Sequence, residues 1–330
     1  MEMIALEPDF ITRLQGASTW RVYLSGEIDG GTPEQLERLV NEHSVPWGSN
    51  LYIHSGGGSA ASGMALGRVI RKYGLTTHVG RQGKQTTHLQ ETDDGCCMSA
   101  AALAFLGGIW RYVDGESRYG VHQFTGLASE DEAQRFSAEI VDYIRSMGVS
   151  TELFTYASET PADDILELPH ATLRRLRVAN DGYDPVEWSV ESIDVGVYLK
   201  GQRDTVIGVQ KFILFFPPGQ PVQLYAIFQG GQNAEMIMGM QTERLAIDDE
   251  YISLSELRIK RVNDNTWING IYALSRDIVD KLKTAKRVGY LLQFSDEAPT
   301  FCGFDGFSFE GGAARLLGLL TMHAASSKPA

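Results

Sequence analysis

Three separated segments of this chain carry groups suited to acyl chemistry. Cys96-Cys97-Met98-Ser99 runs into Ala100-Ala101-Ala102, so Ser99 stands where an apolar helix begins. A serine there has its own N–H and that of Ala100 close by, and a helix start favours negative charge developing on a substrate oxygen. The competing use of such a serine is as an N-cap, its hydroxyl accepting from a backbone N–H two or three residues on. His122 ends the stretch Glu116-Ser117-Arg118-Tyr119-Gly120-Val121, just before Gln123 and Phe124. At a strand end an imidazole has the partial access a general base needs, although one histidine alone reads equally as a hydrogen-bonded surface or core residue. His54, His78, His88 and His170 are further candidates. The third segment, His54-Ser55-Gly56-Gly57-Gly58-Ser59, lies between a strand and a helix, where glycine lets backbone N–H groups turn toward an anion. It has neither the GxGxxG spacing nor the GK[ST] of a phosphate loop, and a plain tight turn would look the same.

The elements that must position these groups are legible around them. Residues 19–27 and 50–54 are short runs of aromatic and aliphatic residues bounded by turn formers, a strand signal. Between them 33–43 predicts a helix, with Thr32 as N-cap and Pro33 in the first turn. Residues 60–74 predict a second helix ending at Gly74, followed by the strand of Leu75-Thr76-Thr77-His78-Val79-Gly80. Such alternation means an α/β domain. The polar stretch 81–95 has no apolar period and predicts a loop, whose place between glycine turn and Ser99 makes it a candidate mobile lid over the cleft. Residues 99–108 predict a buried helix, and 110–122 a pair of strands turning at Asp114-Gly115. From 128 to about 178 the pattern is mostly helical.

Beyond the turn-rich segment 180–185 strands dominate, so the boundary falls between 1–182 and 183–330. The second part reads as a sandwich-like or α+β module with two helices, Ser275–Ala285 and Gly312–Ala324, serving as an accessory or partner-binding domain.

Composition excludes several function classes. The 42 Asp and Glu residues against 29 Lys and Arg give a net charge of −13, which repels phosphate backbones and anionic lipid, so nucleic acid is not an expected partner. There is no apolar run of the ~18 residues that a spanning helix requires. Three cysteines, two of them adjacent, form neither a disulfide framework nor a zinc pattern, and nothing calls for a metal or cofactor. The first ten residues are acidic and lack the n- and h-regions of a secretory signal, which makes the cytoplasm the default compartment, or the periplasm if a leader has been removed.

Taken in order, Ser55-Gly56-Gly57-Gly58-Ser59-Ala60-Ala61-Ser62-Gly63-Met64, the polar insertion, Cys96 to Gly108 and Ser117 to Phe124 resemble the proteolytic subunit of Clp protease and its ClpP-like relatives, over roughly residues 19–180. The resemblance implies a ClpP/crotonase-like fold of repeated ββα units, Ser-His-Asp catalysis on peptide or unfolded protein, and trimer-based or ring-shaped homo-oligomers. It makes Ser99 the nucleophile, His122 the base, and the N–H groups of Gly58 and Ala100 the oxyanion hole. For the acid, the segment 159–178 offers Asp164, with Asp163 as the alternative; both also suit a helix start. The longer connection at 81–95 and the alanines after Ser99 depart from the family pattern. Two other readings stand beside the peptidase: a binding or assembly protein that has kept the fold without catalysis, and a crotonase-type acyl-CoA enzyme.

Overall fold

A computed structural model describes residues 1–9, 19–85, 90–126 and 129–326. Two compact units result, Met1–Gly182 and Tyr183–Ala330. Unit 1 contains, in chain order, β1 (Glu2–Leu6), β2 (Arg21–Ser25), α1 (Thr32–Glu42), β3 (Asn50–His54), α2 (Ala60–Lys72), β4 (Thr76–Val79), β5 (Arg81–Gln85), β6 (Gln90–Asp93), β7 (Cys96–Met98), α3 (Ala100–Phe105), β8 (Arg111–Tyr112), β9 (Arg118–Val121), α4 (Glu130–Ser146), α5 (Glu152–Glu159), β10 (Leu166–Glu167) and α6 (His170–Arg175). This is a mixed α/β architecture with several sheets.

The main sheet has the order β1-β2-β3-β4-β8, with β2, β3, β4 and β8 parallel and β1 antiparallel at one edge. Period-two alternation sends Leu51 and Ile53 into the core and Tyr52 and His54 to the opposite face. Helix α2 starts from an N-cap, Ser59, whose hydroxyl accepts from Ser62 N–H at 3.3 Å. Its glycines let it touch α3 backbone to backbone: a Cβ on Gly63 would come within 2.3 Å of Ala100 O. That approach fixes the segment carrying Ser99 against the glycine turn.

On the outer face Tyr23, Tyr52, His78 and Tyr112 stack in a row, with centroid separations of 4.9, 4.7 and 4.8 Å. The expected loop at 81–95 is instead a hairpin laid against this row. Arg81 pairs with Asp93 and Gln82 with Thr92; Arg21 donates to Gln90 O, and Tyr23 Oη lies 3.2 Å from Thr92 Oγ1. Its polar residues hide the strands from an apolar-period reading, because part of what they offer the row is hydrogen bonding, as at Thr92. The tip of the supposed lid, 86–89, including His88, lies outside the described residues.

The predicted strand pair at 110–122 is also corrected. β8 joins β4, whereas β9 joins β7 and β10 in a separate sheet, so the turn at Asp114-Gly115 crosses between sheets. Helix α3 ends at Phe105, short of the predicted 108, and the carbonyls just beyond it are taken by side chains. Arg71 donates to the carbonyls of Leu106, Gly107 and Gly108, and buried Arg111 donates to Gly108 O and Val178 O.

Unit 2 is antiparallel. Its elements are β11 (Glu187–Ile193), β12 (Gly196–Thr205), β13 (Gly208–Phe216), β14 (Gln223–Gln229), α7 (Ala234–Met238), β15 (Thr242–Ile247), β16 (Glu250–Ser253), β17 (Arg258–Asp264), β18 (Trp267–Ala273), α8 (Arg276–Leu282), β19 (Arg287–Gln293), β20 (Cys302–Ser308) and α9 (Glu310–Ser326). They form a six-stranded sheet, β11-β12-β13-β14-β18-β17, and a four-stranded sheet, β16-β15-β19-β20. Alternating burial in β13, β14 and β18 gives the larger sheet one core face, whereas β19 is buried from Val288 to Gln293. Among the described residues no helix is long and apolar enough to cross a membrane.

Candidate active site

Ser99 sits at the junction of β7 and α3 with φ 56° and ψ −119°. A left-handed backbone at a residue other than glycine costs on the order of 1–3 kcal/mol and persists only where the surroundings impose it. Here they do. Met98 N–H donates to Ser55 O at 3.0 Å, Ser99 N–H to Gly120 O at 3.0 Å, and Ala102 N–H to Ser99 O at 3.0 Å. The side chain does not cap the helix. Ser59 and Ser129 do cap theirs, accepting from Ser62 and Glu132 N–H. The capping use of Ser99 is thereby removed, and its hydroxyl is left for other work. Because α3 has only six residues, the oxyanion environment expected from a long helix reduces to individual N–H donors.

Gly57, at φ 117°, lies against this turn: a Cβ there would stand 2.8 Å from Ser99 Cβ and 3.3 Å from Ala100 N. The glycine segment is pinned by Ile28 N–H to Gly57 O and Ser59 N–H to Ile28 O, both 2.9 Å, and by Gly57 N–H to Ser55 Oγ at 3.1 Å. Among the described residues no acceptor takes the N–H of Gly58 or Ala100.

His122 is half-buried just beyond β9, with Nδ1 2.9 Å from the carbonyl oxygen of Ala162. A carbonyl can only accept, so Nδ1 carries the proton and Nε2 keeps the basic lone pair. Ser99 Oγ and His122 are not hydrogen-bonded to each other. They nevertheless line one cavity of about 330 Å³, together with Leu103, Ile140, Leu153 and Phe154. Neither Asp163 nor Asp164 reaches His122 in this arrangement: both are exposed, and Asp164 accepts from Ile165 N–H at 2.8 Å. The carboxylates stand one and two residues after the carbonyl that holds the imidazole.

Among the solved structures that resemble this chain are two of ClpP. ClpP1 from Listeria monocytogenes matches with 20% identity, 48% of this chain, 88% of its own length and a TM-score of 0.38. The ClpP protease catalytic domain from Plasmodium falciparum matches with 18% identity, 48% of this chain, 81% of its own length and a TM-score of 0.35. No protein-family model and no curated protein matches the sequence.

The remaining histidines lie elsewhere. His78 is within the aromatic row with Nε2 3.0 Å from Asn50 Oδ1, and burial, reinforced by Arg21, depresses its pKa to about 4. His170 lines a second depression with Asp114 and Glu167, its Nε2 3.5 Å from Asp181 Oδ2. His54 meets Cys96, as described below. Among the described residues no three His, Cys, Asp or Glu side chains are grouped to hold a metal ion. Sequence reasoning missed the Ala162 carbonyl, because a backbone acceptor leaves no mark on residue type.

Proposed function

We propose that unit 1 is a ClpP-like serine peptidase domain, on a ClpP/crotonase-like core, that cleaves peptide bonds through an acyl-enzyme. The reading is carried by Ser99: a strained turn holds a hydroxyl not spent on capping in the wall of the cavity that His122 also lines. Ser99 Oγ attacks the peptide carbonyl as His122 Nε2 takes its proton, and the N–H groups of Gly58 and Ala100 receive the oxyanion. His122 then returns the proton to the departing amine, and water repeats the sequence to release the acid. The cavity wall of Leu103, Ile140, Leu153 and Phe154 suits an apolar substrate side chain.

In this scheme the Ala162 carbonyl fixes the productive tautomer of His122. Asp164, or Asp163 in its place, would complete a triad by moving to Nδ1, which stabilises the imidazolium more strongly than a neutral carbonyl does. Ring- or trimer-based assembly follows from the family resemblance, with unit 2 as a partner-binding accessory.

A fluorophosphonate probe tests the site. Wild type should label at Ser99, Ser99→Ala should not, and His122→Ala should label at least about a hundredfold more slowly. If a carboxylate joins the site, Asp164→Ala or Asp163→Ala lowers peptide turnover by orders of magnitude; if the carbonyl suffices, both variants stay within about threefold of wild type. A second reading, a catalytically silent binding protein, is favoured by the open Ser99–His122 contact, and absence of labelling in folded wild type would establish it in place of the peptidase.

A further inference from the structure

The two strands that deliver the glycine turn and Ser99 meet at a cysteine–histidine pair outside the cavity. His54 is the last residue of β3, immediately before Ser55-Gly56-Gly57-Gly58; Cys96 is the first residue of β7, three before Ser99. Cys96 N–H donates to His54 Nδ1 at 3.2 Å, and Cys96 Sγ lies 3.6 Å from the same nitrogen. Since that nitrogen accepts from a backbone N–H, it is unprotonated, and its one lone pair is shared between that N–H and the thiol. Burial and the nearby cations Arg81 and Arg118 lower the His54 pKa and keep the ring neutral. Arg118, which is also bonded to Glu167, is the cross-strand partner of Cys96 in the β7–β9 pairing.

The other two cysteines contrast with this one. Cys97 is fully buried, its Sγ directed to Ile53 O, and burial pushes its thiol pKa well up. Cys302 is partly exposed like Cys96, yet burial also pushes its thiol up. Only Cys96 combines partial exposure with a base at its sulfur.

We propose that Cys96 is a reactive thiol, modified by small peroxides and soft electrophiles, with His54 as its base and with consequences for the Ser99 turn. The Cys96 proton passes to His54 Nδ1 and the thiolate attacks one peroxide oxygen. The O–O bond breaks, and the departing hydroxide recovers the proton from His54 as water. Cysteine and hydrogen peroxide thus become sulfenic acid and water, with no other reactant. The added atom must fit where sulfur already touches His54. The same strand ends are tied by Ser55 N–H to Cys96 O at 2.8 Å and Met98 N–H to Ser55 O at 3.0 Å. Displacing β7 from β3 therefore shifts Ser99 relative to Gly57 and Gly58, a regulation of the site that rests on the peptidase reading.

The test treats the full chain with iodoacetamide, or with hydrogen peroxide followed by dimedone, and maps modified peptides over time. Cys96 should react about tenfold or more faster than Cys302. His54→Asn, which keeps an acceptor for Cys96 N–H but removes the base, should erase that advantage while circular dichroism stays unchanged. Equal rates at Cys96 and Cys302 in wild type, or an undiminished Cys96 rate in folded His54→Asn, would overturn the proposal. Alkylated wild type should then lose fluorophosphonate labelling at Ser99 several-fold, and similarly treated Cys96→Ser should not; retained labelling in the alkylated protein removes the regulatory part. If untreated wild type does not label at Ser99 at all, the peptidase reading falls, while the cysteine rates still decide the thiol.

Discussion

In unit 1 the costly feature is a bent backbone at the rim of a cavity, whereas in unit 2 it is charge placed inside a closed core. Ser99 holds a left-handed conformation with its hydroxyl available. Glu243, by contrast, has no exposed side-chain surface and is gripped by Arg261 at 2.6 Å and Arg258 at 3.1 Å, with Tyr272 and Tyr290 hydrogen-bonded to each other nearby at 2.6 Å. Arg261 also donates to the carbonyls of Met238 and Met240. Both arrangements oppose stability locally, and both are held by surrounding bonds. The difference lies in what each leaves free. Unit 1 leaves the Ser99 hydroxyl and the N–H groups of Gly58 and Ala100, and backbone strain of this kind clusters at functional sites. Unit 2 turns Glu243 and Arg261 toward each other and toward backbone carbonyls, and what it leaves free, Glu243 Oε2 and Arg261 Nε, is buried in the core without a hydrogen-bond partner among the described residues.

The largest expected effect that tests this contrast is at Gly57. Gly57→Ala places a methyl at 2.8 Å from Ser99 Cβ on a residue with φ 117°, so Ser99 labelling by fluorophosphonate should fall roughly a hundredfold or more. An unchanged labelling rate in a folded variant would separate the glycine turn from the site. In unit 2, Glu243→Ala strands Arg261 and should cost about 3–5 kcal/mol in denaturant unfolding of that unit, with Ser99 labelling unaltered below the transition. Loss of labelling there would show that the buried ion pair also serves the site.

The smallest effect concerns acid. His78 titrates at about 4 when folded and near its ordinary 6.5 when unfolded, so the unfolded chain binds the extra proton first. Its contribution is full above pH 6.5 and is lost as pH falls toward about 4. Allowing for its residual exposure, the loss should be roughly 2 kcal/mol. His54, also lowered, acts in the same direction. Unfolding curves for wild type and His78→Gln between these pH values measure the difference; parallel pH dependences would remove His78 as the cause.

Local sequence determined the elements whose signals are local. Asn50–His54 and Ala60–Lys72 follow from β-forming residues between turns and from an amphipathic period begun by a capping serine, and the antiparallel strands of unit 2 follow from period-two alternation. The residue types at Ser99, His122 and the glycine turn suggested acyl chemistry in the same way, and the structure brings Ser99 and His122 to one cavity without a bond between them. Tertiary structure alone decided the rest, because each remaining feature depends on a partner distant in the chain. Whether 81–93 is loop or hairpin turns on the aromatic row beneath it, and where α3 stops turns on guanidinium groups from Arg71 and Arg111. The proton on His122 is placed by a carbonyl forty residues away, and the base beside Cys96 comes from the end of another strand. Periodicity reports which face of an element is apolar; it carries no record of which backbone oxygen or ring nitrogen the fold will bring to a given side chain.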